Sequence, residues 1–265
     1  EAGYHLVGSI SQPTAAESLL TPADHVDRPG GSDEQPDLVI LGPDAGSLLR
    51  LAAHPGDPSE LVQRLARRCW PAPVVMDLAP GTTPPESCSA TWWNRVTDCQ
   101  RLPVRVPAHE VPRGLIDLAE TLLLARPLDL TEAGDPSPGS YDSASLILQA
   151  GPAKFAGGDT TIRIRGDRWE VTHEGAVGAA TVARMACRAV VFICTGNTCR
   201  SPMAEALFRK MLSERLQCRD EELVERGFLV GSAGVAAYGG SPISPEAAES
   251  LRERGIDFAS HVSQP

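Results

Sequence analysis

Ala189-Val190-Val191-Phe192-Ile193-Cys194-Thr195-Gly196-Asn197-Thr198-Cys199-Arg200-Ser201-Pro202 decides how the second half of this chain is read. The apolar run from Ala189 to Ile193 is largely β-branched or aromatic and suits a strand buried on both faces, as in a parallel sheet. A short loop containing Gly196 follows, opening on Cys194 and closing on Arg200. Ser201 is a good N-cap and Pro202 fits the first helical position, so a helix is expected from Met203 to about Leu216. Loop amides and a helix N-terminus then point at one spot, and such a spot binds anions.

The rest of the composition bounds the setting. A chain of 265 residues with 42% hydrophobic content has room for two ordinary domains. Its formal net charge is -10, most of it before Cys187, a poor electrostatic match for nucleic acid. Nearly all basic residues are Arg, the lysines being Lys154 and Lys210. No apolar run reaches the length of a bilayer span and no signal peptide opens the chain, so no membrane partner and a cytoplasmic location are expected. Seven cysteines are an odd number without the dense spacing of a secreted disulfide scaffold, which suits thiols in a reducing compartment. Cys69, Cys88, Cys99, Cys187 and Cys218 lack metal-ligand spacing, and no metal site is expected. An opening Glu1 and a last segment without a terminal element are read as cut ends.

Before the loop, hydrophobic patterning gives strands at Tyr4-His5-Leu6-Val7, Asp37 to Leu41 and Val74 to Leu78. It also gives a short extended piece at Val104 to Pro107 and an alternating strand at Thr160 to Ile164, paired as a hairpin with Trp169 to Val171 through Gly166-Asp167. Helices are expected over Leu61–Cys69, Arg113–Leu124 and Ala179–Ala186. Pro22 to Pro36 and Gly134 to Ser140 read as loops, and Ser143 to Gln149 as a helix or a strand.

Tyr4-His5-Leu6, Trp70-Pro71-Ala72-Pro73, Val104 to His109, Gly134 to Pro138, Thr160-Thr161-Ile162 and Glu174 to Val177 follow one another as in the YrdC-like family, which the N-terminal region resembles. That family makes threonylcarbamoyl-AMP from threonine, bicarbonate and ATP, so the resemblance implies ATP as cofactor and a tRNA-modification link. The departures are pointed. No Lys precedes Lys154, Asp129 to Ala133 replaces a Ser-x-Asn element, and His173 stands where an Arg is usual. A triphosphate needs several cations and donors, so these gaps imply a degenerate domain over residues 1–186, with Arg105, Thr160 and Thr161 lining a vestigial pocket.

The second domain, residues 187–265, offers a chemistry that follows from its residue types. A phosphomonoester needs donors on three oxygens and a nucleophile in line with the leaving group. Amides of Thr195, Gly196, Asn197, Thr198, Cys199 and Arg200 are placed to wrap the oxygens, Gly196 to permit a tight backbone path, and Arg200 to clamp two oxygens at once. Cys194, at a helix N-terminus beside a cation, is activated toward the thiolate, and Ser201 is placed to donate to it.

The Cys-x5-Arg loop, Ser201-Pro202-Met203-Ala204-Glu205, Gly231 to Val235, and Gly255-Ile256-Asp257 with Ser260 to Ser263 closely resemble the low-molecular-weight phosphotyrosine phosphatase family. The resemblance implies the first half of a flavodoxin-like parallel α/β fold joined to a twisted mixed YrdC-like sheet. It implies a phosphocysteine intermediate, no cofactor, and a phosphorylated protein as substrate. It also implies that Asn197 holds the loop through Ser232 and a buried, orienting His261, and that a general-acid Asp lies beyond Pro265. Cys199 is read either as a small buried residue or as a reversible disulfide partner of Cys194. Thr198 resembles the protein-arginine phosphatases of the family, whereas Tyr238 falls where tyrosine phosphatases place an aromatic wall. Arsenate reduction through the same loop and threonylcarbamoyl-AMP synthesis by residues 1–186 are the alternatives. Oligomeric state is left open.

Overall fold

The computed structural model describes residues 4–9, 38–52, 59–82, 93–94, 100–120, 122–127, 155 and 157–265. The expected loops at 22–36 and 134–140, the segment 143–149, Cys88 and Cys99 lie outside them. The chain divides into two compact units, residues 1–182 and 183–265.

In the first unit, the strands are β1 (Tyr4–Ser9), β2 (Val39–Leu41), β3 (Val74–Leu78), β4 (Leu102–Arg105), β5 (Leu123–Pro127), β6 (Thr160–Arg165) and β7 (Arg168–His173). They form one sheet in the order β1-β5-β2-β4-β3-β6-β7. The pairs β2–β4 and β3–β6 are parallel and the rest antiparallel. Helices α1 (Ala45–Leu49), α2 (Glu60–Cys69) and α3 (Glu110–Ala119) occur between strands. Side-chain caps start them: Asp44 accepts from the Ser47 amide, Ser59 from Val62 and His109 from Val111.

The core of this unit gathers Val39, Leu41, Val75, Ile116, Leu123 and Ala125. β3 is buried along its whole length, including Asp77 at 0% exposure. Three arginines make that tolerable: Arg101, Arg163 and Arg165 reach the Asp77 carboxylate at 3.0, 3.4 and 3.3 Å. The expected helix over Arg113–Leu124 is corrected here. It starts at Glu110, ends at Ala119 with Glu120 left-handed at φ 49°, and gives way to β5. Leu122 to Ala125 are apolar at every position, so their pattern fits a buried strand as well as a helix end.

The second unit follows α4 (Ala179–Ala186), which spans the boundary in sequence. It holds β8 (Arg188–Cys194), α5 (Arg200–Leu216), a 3₁₀ turn (Asp220–Leu223), β9 (Phe228–Gly234) and α6 (Pro245–Arg252). β8 and β9 pair in parallel from Arg188↔Phe228 to Cys194↔Gly234. A parallel pair needs a crossover, and α5 supplies it. Phe192 meets Phe208 of α5 edge to face, with ring centroids 5.5 Å apart. Ala206, Ile243, Ala247 and Leu251 form the core of this unit, flanked by Met203, Leu207, Ile256 and Phe258.

Two expectations are corrected in this unit. β8 is not buried on both faces: Phe192 is half-buried, while Val191 and Ile193 on the opposite face are 55% and 64% exposed. Within residues 183–265 the helices cover one face of a two-stranded sheet, so alternate β8 residues stay open. Ser201 is not the helix cap either, because α5 begins at Arg200 with Cys199 at the N-cap, and no side chain caps it. The Ser201 hydroxyl is thereby free for the loop.

Candidate active site

β8 ends at Cys194, and the next five residues return the chain into α5 as a tight loop. Its left-handed residue is Asn197, at φ 52°, and not Gly196, whose added Cβ would meet only Thr198 Oγ1 at 3.7 Å. A positive φ is costly for most residues and least so for Asn and Asp. The glycine that the loop does require lies on β9. A Cβ at Gly234 would stand 2.8 Å from the Thr195 carbonyl oxygen and 2.9 Å from the Asn197 nitrogen, so only glycine lets the loop close onto the strand end. Val235 and Ala236 amides then donate to the carbonyls of Cys194 and Thr195.

Asn197 is fully buried and held from four sides. Its Nδ2 donates to Ser201 Oγ at 2.8 Å and to Ser232 Oγ at 2.9 Å, while its Oδ1 accepts from the Gln264 amide at 2.8 Å. His261 Nε2 lies 2.9 Å from the Asn197 backbone carbonyl, and its ring stacks on Phe258. His261 is half-buried where burial was expected, and it serves the backbone rather than the side chain of Asn197. Gln264 and Glu205 were not singled out from sequence. An exposed Gln near the chain end carries no signal, because it contributes its backbone amide.

Cys194 Sγ sits 3.0 Å from Ser201 Oγ and accepts from the Asn197 amide at 3.2 Å. Burial pushes this thiol up. The Ser201 hydroxyl and amide, then the Asn197 and Gly196 amides, outweigh it and bring the group down to about 7. Arg200 is exposed at the first turn of α5, its guanidinium donating to Thr195 Oγ1 at 3.3 Å. Thr198 is half-buried, with its carbonyl accepting from Ser244. Cys199 is exposed, which removes the small-buried-residue reading of that position. Tyr238 is 88% exposed, with its carbonyl accepting from the Ser241 and Ser263 hydroxyls.

Alkylation of Cys194 by iodoacetamide, followed site by site with mass spectrometry, is expected to be half-maximal near pH 7. In Ser201→Ala the midpoint should move up; a wild-type midpoint near the ordinary thiol value of about 8.5 contradicts the geometry. Because the folded-state value is depressed, the thiolate stabilises the fold above the unfolded-state value, and this is lost as pH falls through about 7.

Arg105, Thr160 and Thr161 occupy a different kind of place, at 1%, 0% and 1% exposure. Arg105 pairs with Asp159 at 2.5 Å and donates to the Ala72 carbonyl at 3.3 Å. The Thr160 hydroxyl donates to Val177 O and accepts from the Gly175 and Val177 amides. Gly175 permits this contact, since a Cβ there would lie 2.5 Å from the Asp159 carbonyl oxygen. In place of an open vestigial pocket, these three residues are buried, with Arg105 and Thr160 bonded to the chain's own groups.

Cys194 is thus a thiol held by a hydroxyl and a backbone amide at a strand–loop–helix junction. Residues 189–265 match the family described as low molecular weight phosphotyrosine protein phosphatase. Over 76 residues the chain is 49% identical to the protein-arginine-phosphatase of Bacillus subtilis (strain 168), covering 29% of this chain and 44% of that relative. It is 38% identical over 76 residues to arsenate reductase 2 of Staphylococcus haemolyticus (strain JCSC1435), covering 29% and 47%. The solved low molecular weight protein tyrosine phosphatase from T. tengcongensis is 44% identical, with 29% and 46% covered and a TM-score of 0.24. The chain spans less than half the length of these relatives. Its C-terminal region is of the low-molecular-weight phosphotyrosine phosphatase family.

Proposed function

We propose that residues 187–265 supply the nucleophile and phosphate cradle of a cysteine-dependent protein phosphatase acting on phosphoarginine or phosphotyrosine. The observation that carries this reading is the Cys194 sulfur held by the Ser201 hydroxyl and the Asn197 amide. The thiolate attacks phosphorus, the bond to the leaving nitrogen or oxygen breaks, and water then hydrolyses the phosphocysteine. Arg200 and the loop amides hold the equatorial oxygens. Asp220 is bound to Arg209, and Asp257 accepts from the Ala259 amide, so neither serves as general acid.

Phosphoarginine is the preferred substrate class. Thr198 places a hydroxyl in the loop, where it can bond a phosphoguanidinium or the attacking water. The 49% identity to a protein-arginine-phosphatase supports the same choice. The test compares kcat/KM on matched phosphoarginine and phosphotyrosine peptides. Thr198→Ile should lower the phosphoarginine-to-phosphotyrosine ratio by about 10-fold; an unchanged ratio argues against a specificity role for Thr198. Resemblance to arsenate reductase 2 supports a second reading, separated by thioredoxin-coupled turnover of arsenate in place of phosphopeptide. For the N-terminal unit we propose a structural role rather than ATP-dependent threonylcarbamoyl-AMP synthesis, because buried Arg105 pairs with Asp159 and the Thr160 hydroxyl bonds Val177.

A further inference from the structure

Hydrogen counting along the loop supports gives the network a direction. Ser232 has one hydroxyl proton, and it is donated to Glu205 Oε2 at 2.6 Å. Ser232 therefore faces Asn197 only as an acceptor, and only the NH₂ side of the Asn197 amide fits there. The other Nδ2 proton goes to Ser201 Oγ. Ser201 has thus accepted from Asn197, and its own proton is left for Cys194 Sγ at 3.0 Å or the Ala233 carbonyl at 3.3 Å. Glu205 lies one helical turn after Ser201 on α5 and is 8% exposed. Arg209 Nη1 lies 3.8 Å from Glu205 Oε1, and Asp220 holds the guanidinium at 2.6 Å.

We propose that Glu205 is a positioning residue for Cys194. Its carboxylate, steadied by Arg209, sets the direction of a hydrogen-bond chain through Ser232, Asn197 and Ser201 that ends on the sulfur. The assignment rests on Cys194 being the nucleophile of the proposed phosphatase. A side chain that merely fastened α5 to β9 would affect stability and leave the sulfur unchanged. The chain predicts instead that losing the acceptor at Glu205 reaches the thiolate, while keeping an oxygen there preserves it.

The experiment is the pH profile of Cys194 alkylation in the full 265-residue chain, read site by site. Glu205→Leu removes the acceptor and should raise the midpoint by about one unit, slowing alkylation at pH 6.5 by about 10-fold. Glu205→Gln keeps an acceptor oxygen and should stay within about 2-fold of wild type. Ser232→Ala cuts the chain beyond Glu205 with a small substitution, and it should shift the midpoint as Glu205→Leu does even if the latter folds poorly. Adding Ser201→Ala to Ser232→Ala should shift it no further than Ser201→Ala alone, because both break one chain. A wild-type midpoint in Ser232→Ala, or Glu205→Gln as impaired as Glu205→Leu, overturns the proposal. A chain-dependent midpoint without phosphopeptide turnover would sink the phosphatase reading alone. Turnover with a midpoint indifferent to Ser232 would sink this proposal alone.

Discussion

Cys194→Ser is expected to abolish hydrolysis of para-nitrophenyl phosphate and of phosphoarginine peptide, with a loss on the order of 10⁴-fold or more. The size follows from what the site concentrates on one atom. The sulfur is the acceptor for the Ser201 hydroxyl and the Asn197 amide, and together these donors make a thiolate available near pH 7. A serine hydroxyl in the same place stays protonated, and His261, tied to the Asn197 carbonyl, is not placed to deprotonate it. The aryl ester matters as a substrate because its leaving group departs as an anion and needs no general acid. Activity on it therefore tests the nucleophile separately from protonation of the leaving group. Incubation of the wild-type chain with substrate, followed by rapid quenching and intact-mass analysis, should show one added phosphoryl group on Cys194. Phosphate binding should persist in Cys194→Ser, since the loop amides and Arg200 remain. Undiminished hydrolysis by Cys194→Ser would remove the phosphocysteine mechanism.

Much of this centre was legible before any coordinates, for a local reason. Strand, loop and helix are adjacent in sequence, so Cys194, Arg200 and Ser201 could be read as one unit from spacing, while the supporting role of Asn197 came from the family resemblance. What was not legible depends on contacts between segments far apart in the chain. The need for glycine at 234 arises from the Thr195 carbonyl pressing on β9. Ser201 looks like a cap from sequence, but its hydroxyl is drawn to Cys194 and Asn197, and the helix starts one residue earlier at Arg200. Glu205 looks like an ordinary helical glutamate until Ser232 is brought beside it. In the first unit, strand existence was readable from apolar alternation at Thr160–Ile164 and from the run at Val74–Leu78. Pairing order was not, because β3 pairs in parallel with β6 across more than eighty residues of sequence. The buried Asp77 at the centre of that run became explicable only when Arg101, Arg163 and Arg165 were placed around it.

Asp159→Ala is expected to destabilise the N-terminal unit by about 3–5 kcal/mol, the cost of stranding one member of a buried ion pair. Arg105 and Asp159 side chains are 2% and 5% exposed, so water cannot replace the lost carboxylate without opening the sheet. The pair also sits next to Thr160, whose hydroxyl fastens Gly175 and Val177 to β6, so the loss should propagate to the β6–β7 end of the sheet. The four tryptophans, Trp70, Trp92, Trp93 and Trp169, all precede residue 183, and their fluorescence during denaturant unfolding reports this unit alone. Replacing both partners in Arg105→Met with Asp159→Leu should recover most of the stability, because no charge is then left buried. Repeating the cycle with and without ATP decides between the two roles considered for residues 1–186. If Arg105 served an ATP site, added ATP would raise the wild-type fluorescence midpoint and Asp159→Ala would change that shift. If Arg105 instead serves the buried pair with Asp159, the midpoint falls by the full amount. The double variant then restores it without any dependence on ATP.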